Sequence, residues 1–97
     1  MKGKIADREV EWDDAKNEIN IQKHHLSLPT AALVFADENR LEIFDAEHSG
    51  SEDRYITIGK SSKVLFVVFT ERADGVTRII SGRFATAEER RLYYGSI

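Results

Sequence analysis

The 97-residue sequence predicts an α+β fold, an antiparallel β-meander packed by an N-terminal helical hairpin and a C-terminal helix. Three observations predict it. Residues Arg54–Lys60, Val64–Arg72 and Val76–Phe84 are β-rich runs separated by Ser61-Ser62-Lys63 and Ala73-Asp74-Gly75. Loops that short join antiparallel neighbours. Upstream, apolar residues recur at helical spacing over 14–24 and 29–36, each stretch preceded by a capping residue. Downstream, Thr86-Ala87-Glu88-Glu89 is a capping box that opens a helix running through Tyr94. Helices covering an antiparallel sheet make an α+β domain, and a chain this short supports one core, hence a single domain over 1–97.

The elements follow in order. Glu9-Val10-Glu11-Trp12 alternates and reads as a short edge strand, with Trp12 in the core. Asp13 or Asp14 caps the first helix, whose inward positions are Ala15, Ile19 and Gln22 or Lys23. It ends near His24-His25, where cationic side chains complement the helix dipole. Ser27 caps the second helix, Pro29 sits in its first turn, and Ala31, Ala32, Val34 and Phe35 form its apolar side, widened by Leu33. The short connection makes the pair a helical hairpin. Arg40–Asp45 reads as a strand, and the polar stretch 46–53 as a loop.

Composition narrows the function. There is no cysteine, which removes disulfides, thiolate metal sites and cysteine nucleophiles. The longest apolar run, Val64–Phe69, is far below the ~20 residues that span a bilayer. The first ten residues lack the apolar segment of a signal peptide. A cytoplasmic protein with no membrane partner is expected. The net charge of −3 conceals an asymmetry. Residues 1–53 hold 6 basic and 13 acidic side chains, whereas residues 54–97 hold 8 basic and 4 acidic. Arg54, Lys60, Arg72, Arg78 and Arg83 all fall in strands, so a basic sheet face for a polyanion is expected.

Metal and cofactor chemistry find no motif. His24 and His25 are adjacent and diverge on a helix, and His48 lies in a loop. The six glycines form no phosphate loop, and no nucleophile elbow is present. The hairpin register pairs Arg54 with Thr70 and Thr70 with Arg78, with Arg72 one step along the same face. Three guanidinium groups gathered there repel one another unless an anion or carboxylates compensate. Either RNA phosphates or the acidic N-terminal helix can do so. Glu71 and Arg83 fall on the opposite face under strict alternation. Tyr93-Tyr94 pack the last helix or, if exposed, stack on bases.

Residues across the chain resemble the BrnT family. Val10-Glu11-Trp12-Asp13-Asp14-Ala15-Lys16-Asn17, Asn20-Ile21-Gln22-Lys23-His24 and Ala32–Phe35 match its opening. The second half matches through Arg54-Tyr55-Ile56-Thr57-Ile58-Gly59-Lys60-Ser61, Thr70-Glu71-Arg72, Arg78-Ile79-Ile80-Ser81-Gly82-Arg83-Phe84-Ala85-Thr86 and Glu89-Arg90. The resemblance implies a RelE-like ribonuclease toxin of a type II toxin–antitoxin system. Such a toxin cleaves RNA without a metal, arrests translation and growth, and is neutralised by a BrnA-type antitoxin with a DNA-binding domain. DNA is then reached only through the antitoxin. The resemblance makes Arg72 and Arg83 transition-state stabilisers, Glu71 a base, and His24 an acid or phosphate ligand. Arg54, Lys60, Arg78 and Lys23 would position RNA. Bringing Arg72 and Arg83 together then requires a bulge or the strand end. The chain departs from the pattern at His25 (Gly in the family), at Phe69 (His) and at Phe84 (a second basic residue). The alternative function is a toxin-like module, weak or inactive in catalysis, that acts by binding its antitoxin in operon regulation.

Overall fold

The computed structural model describes residues 1–50 and 52–97, so position 51 of the expected 46–53 loop lies outside the described residues. Six strands form one sheet: β1 (Lys2–Ile5), β2 (Arg8–Glu11), β3 (Leu41–Phe44), β4 (Arg54–Ser61), β5 (Lys63–Glu71) and β6 (Thr77–Phe84). Their spatial order is β1-β2-β6-β5-β4-β3. The meander β4-β5-β6 is antiparallel in the expected register, with Lys60 opposite Val64, Arg54 opposite Thr70, and Thr70 opposite Arg78. The β4–β5 turn is tighter than expected, because Ser61 pairs with Lys63 and leaves Ser62 at the tip with φ 63°.

The N-terminus corrects the expected order. The chain opens on a β-hairpin, and the two helices come after it, between β2 and β3. Lys2-Gly3-Lys4-Ile5 has no apolar alternation to announce a strand. Its turn, Ala6-Asp7, has φ 50° and 65°, the left-handed pair that two-residue hairpins need, but without the usual Asn-Gly. The Glu9–Trp12 segment is therefore not at an edge. β2 sits between β1 and β6, pairing with β6 in parallel through Val10–Thr77 and Glu11–Arg78.

Helix α1 (Asp14–His24) is capped by Asp13, which accepts from the amides of Ala15 and Lys16. It ends at His25, which adopts the left-handed conformation (φ 57°) and donates its N–H to the Ile21 carbonyl. Glycine usually fills such a position, because it takes a left-handed backbone without the cost a Cβ brings. Helix α2 (Leu28–Ala32) is shorter than expected and tightens into a 3-10 turn at Leu33–Ala36. Ala31, Ala32, Val34 and Phe35 are buried as expected, and Leu33 is exposed. With Leu26 and Leu28 they cover Val10, Leu65, Val67, Phe69 and Ile79 of the sheet. A smaller core on the other face holds Ile58, Val64 and Ala85 beneath Tyr93 of helix α3 (Ala87–Gly95). The Tyr93 hydroxyl donates to Asp37 Oδ2, which also accepts the Lys60 amide at 2.8 Å, so one carboxylate ties α3 to β4.

The inward residue of α1 is Asn20, not Ile19, which is exposed. Asn20 Nδ2 donates to the Leu26 and Gly82 carbonyls, both at 2.8 Å, and its Oδ1 accepts the Gly82 amide at 3.1 Å. A buried amide side chain with three bonds fixes α1 over β6 and satisfies backbone groups that the sheet leaves open. Gly82 also lets α2 approach, since a Cβ built on it would stand 2.7 Å from Ala31 Cβ.

A bulge interrupts β6. Val68 pairs with Ser81 but Phe69 with Ile79, so Ile80 is one extra residue. Before it, Thr77 and Ile79 point towards α1 and α2, and Arg78 points away. After it, Gly82 points towards the helices and Arg83 away. Gly82→Ala should therefore destabilise the fold by about 1–3 kcal/mol through overpacking against Ala31. Urea denaturation should show a lower midpoint at unchanged slope; an unchanged midpoint would mean that α2 is not seated on β6.

Candidate nucleic-acid interface

The face of the sheet turned away from α1 and α2 carries Arg54, Arg72, Arg78 and Arg83. Arg54, Thr70 and Arg78 form a row across β4, β5 and β6. Arg83 pairs with Phe66, four residues from Thr70 on β5 and hence on the same face. The bulge at Ile80, rather than the strand end, produces this alignment. Arg83 lies flat over the Phe66 ring, 4.0 Å from its centroid. At the centre of the row, the Thr70 hydroxyl is buried, and it is the one such side-chain group without a hydrogen-bond partner among the described residues. Native proteins rarely leave a buried hydroxyl unpaired.

Carboxylates compensate part of this charge, though they do not come from the acidic helix. Glu11 of β2 accepts from both Arg72 (3.0 Å) and Arg78. The parallel β2–β6 pairing places it there, and that pairing leaves no local sign in the sequence. The Arg78 hydrogen bond, outweighing desolvation and aided by Arg72, lowers the Glu11 pKa from its ordinary 4.5. Glu89 of α3 makes a two-pronged contact with Arg83 at 2.8 and 2.9 Å, and this contact is the main cause of its lowered pKa. Arg54 makes no ion pair among the described residues. The outer edges of Arg72 and Arg78 stay open to solvent, with side chains 45% and 32% exposed.

Other sequence-selected residues are not gathered here. Glu71 turns to the opposite face, where Arg8 donates to it at 2.7 Å and the Thr77 hydroxyl bonds it. Lys23 and His24 end α1, on the helix-covered side. Lys60 shares the parity of Arg54 but stands at the far end of β4, its ammonium 5.6 Å from the Tyr94 ring centre. Phe69 is buried between Phe35 and Tyr55, so a histidine there would enter the helix-side core and not meet the arginines.

One group escaped the sequence reading. His48 Nδ1 lies 2.9 Å from Asp45 Oδ2, which orients the ring, and the side chain is 64% exposed. Both residues border a groove of about 390 Å³ floored by Ile56, Phe66 and Val68 and flanked by Arg54 and Ser81. Spacing of three residues in a polar loop was the only available signal. Among the described residues no three His, Cys, Asp or Glu side chains converge as a metal-binding set. No helix is long and apolar enough to cross a membrane.

Because folding lowers the Glu11 and Glu89 pKa values, the stability they give is full above their unfolded values and is lost as pH falls through the folded ones. Unfolding free energy should therefore drop as pH falls below about 4.5. Glu11→Gln should lessen that drop, which acid titration of the denaturation midpoint will measure. An unaltered acid profile would show that Glu11 is not held by Arg72 and Arg78.

Comparison with known proteins places the fold and the family. The crystal structure of the Brucella abortus ribonuclease toxin BrnT, at 1.1 Å resolution, is similar in fold with TM-score 0.64 and 21% identity, over 87% of this chain and 99% of that one. No curated protein matches the chain. Residues 12–89 match the family described as ribonuclease toxin, BrnT, of type II toxin–antitoxin system, and that span holds every strand-borne arginine of the open face. The chain therefore belongs to the BrnT family of type II toxin–antitoxin toxins.

Proposed function

We propose that this chain is an active endoribonuclease whose open sheet face binds RNA and stabilises the transition state of 2′-hydroxyl attack. The observation that carries it is the bulge at Ile80, which sets Arg83 on the face of Arg54, Arg72 and Arg78. Cleavage forms a bond from the 2′ oxygen to phosphorus and breaks the bond to the 5′ oxygen. Negative charge grows on the phosphoryl oxygens between these events, and fixed guanidinium groups oppose it. Arg72 and Arg83 take that role, and Arg54 and Arg78 hold flanking phosphates by bidentate contacts. This reading needs no metal.

His48 accepts the 2′ proton, the departing 5′ oxygen takes a proton from water, and the carboxylates do neither. Glu11 and Glu89 are held in their ionised, weakly basic form by the arginines, and Glu71 faces the other way. His48, oriented by Asp45 at the groove edge, keeps a largely exposed imidazole that can exchange a proton with the substrate. Lys23 and His24 on α1 remain proposals as remote RNA or phosphate contacts. In the cell we place the protein in the cytoplasm, with RelE-like inhibition of translation. A BrnA-type antitoxin that brings the DNA-binding domain would neutralise it, so DNA would be contacted only through that partner.

A second reading has its own support. Arg72, Arg78 and Arg83 all hold carboxylates of the same chain, as structural arginines do. On that reading the chain is a weak or inactive toxin-like module that acts through its antitoxin. Single-turnover cleavage of labelled RNA in EDTA separates the two. Arg83→Ala should slow cleavage about 10²–10³-fold, the range for losing one transition-state donor. His48→Ala should slow it about 10²–10⁴-fold. Lack of cleavage by the unaltered protein, alone or with ribosomes, together with lack of growth arrest on induction, would select the binding module.

A further inference from the structure

We propose that the cleft between the β4–β5 turn and one side of α3 is a second RNA subsite, which seats one unpaired base and its phosphate beside the cleavage face. The proposal rests on the ribonuclease reading and extends it from Lys60 and Tyr94, which the sequence already offers to RNA, to Lys63, Phe84 and Arg90. The cleft measures about 410 Å³, within the roughly 300–1,000 Å³ of small-molecule sites. Lys60, Lys63 and Arg90 line it, and none of the described residues lining it is acidic. Two aromatic rings, Phe84 and Tyr94, complete the wall and are 43% and 50% exposed.

The cations and rings are already paired in the way a nucleotide would exploit. Lys63 Nζ lies 5.4 Å from the Phe84 centroid, and Lys60 Nζ 5.6 Å from the Tyr94 centroid. Neither lysine has an acidic partner among the described residues. Cations beside exposed rings are the combination that binds single strands, stacking the base while neutralising its phosphate. A basic patch without rings would hold phosphate alone, and an apolar patch without cations would suit protein. Arg90 Nη1 donates to the Ala85 carbonyl at 2.9 Å, which fixes its guanidinium at the cleft wall.

The position fits a strand that continues from the cleavage face. Phe84 follows Arg83 at the end of β6 and, by strand parity, turns to the other side of the sheet end, with Arg83 Nη1 donating to its carbonyl at 3.3 Å. Phe84 therefore offers an exposed stacking surface next to the end of the arginine face, while Lys63 and Lys60 supply charge from the β4–β5 turn region. Bound RNA would bend round the end of the sheet from Arg83 to this cleft. An unpaired segment can do that and a duplex cannot.

The test is fluorescence anisotropy with a labelled, uncleavable 2′-O-methyl RNA octamer, on the full chain and its variants. Phe84→Ala should weaken binding about 5–150-fold, the loss of one stacked base at ~1–3 kcal/mol. Phe84→Tyr should restore it, and Lys63→Glu should weaken it. Both side chains are exposed, so unfolding is not the expected cause, and thermal melts of each variant will check this. Unchanged affinity in Phe84→Ala and Lys63→Glu would overturn the subsite and leave the ribonuclease reading intact, because Arg83→Ala tests that reading by cleavage. If Phe84→Ala lost antitoxin affinity while keeping RNA affinity, the cleft would be a protein contact and the subsite would again fall. Failure of the unaltered chain to bind the octamer would also overturn it.

Discussion

Strand β6 has two incompatible duties, and one extra residue reconciles them. It must turn Thr77, Ile79 and Gly82 towards the helices, the last so that Ala31 and Asn20 can close on the backbone. It must also present Arg78 and Arg83 to the other side. A strand of period two cannot place 79 and 82 on one face and 78 and 83 on the other. Inserting Ile80 as a bulge changes the parity once, between the two requirements. The helix packing and the arginine face thus follow from the same local defect. Moving or deleting that residue would turn Arg83 into the core and Gly82 outward.

Much of this fold is legible locally. The meander register, the capping box at Thr86–Glu89 and the Asp13 cap depend on residues within a few positions of one another, and the structure keeps them. The β1–β2 hairpin was hidden because Lys2–Ile5 is polar and Ala6-Asp7 takes a turn geometry that favours other residues. Asn20 was hidden because a buried amide looks like a surface residue until its backbone partners are known. The site divides in the same way. Residues on one meander face can be counted from sequence, so Arg54, Arg72 and Arg78 were visible together. Glu11 reaches them through a parallel pairing with no loop to announce it, and the position of Arg83 awaited the bulge.

The charge balance of the open face follows from these placements. The arginine ends of these pairs are 32–45% exposed although Glu11 itself is buried, so solvent screens the pairs from the guanidinium side. Glu11 and Glu89 therefore keep the guanidinium groups ordered without holding them tightly. A phosphate brings more charge and more acceptor atoms than a carboxylate, and guanidinium donors left over from the existing pairs can meet it. A face built this way is preorganised yet not self-quenched.

The parallel strand pair also sets an order of assembly. Each hairpin of the meander closes through a short turn, whereas Glu11 and Arg78 meet across 67 positions of chain. Chain closure over such a separation is entropically slow, and it is rewarded only once β6 exists as a template. The meander is then the natural nucleus, and the first twelve residues dock late. Interactions absent from the rate-limiting step govern how fast a folded protein opens, not how fast it forms. The lifetime of the native state is accordingly written into the pairing of β2 with β6, where Val10 and Glu11 meet Thr77 and Arg78.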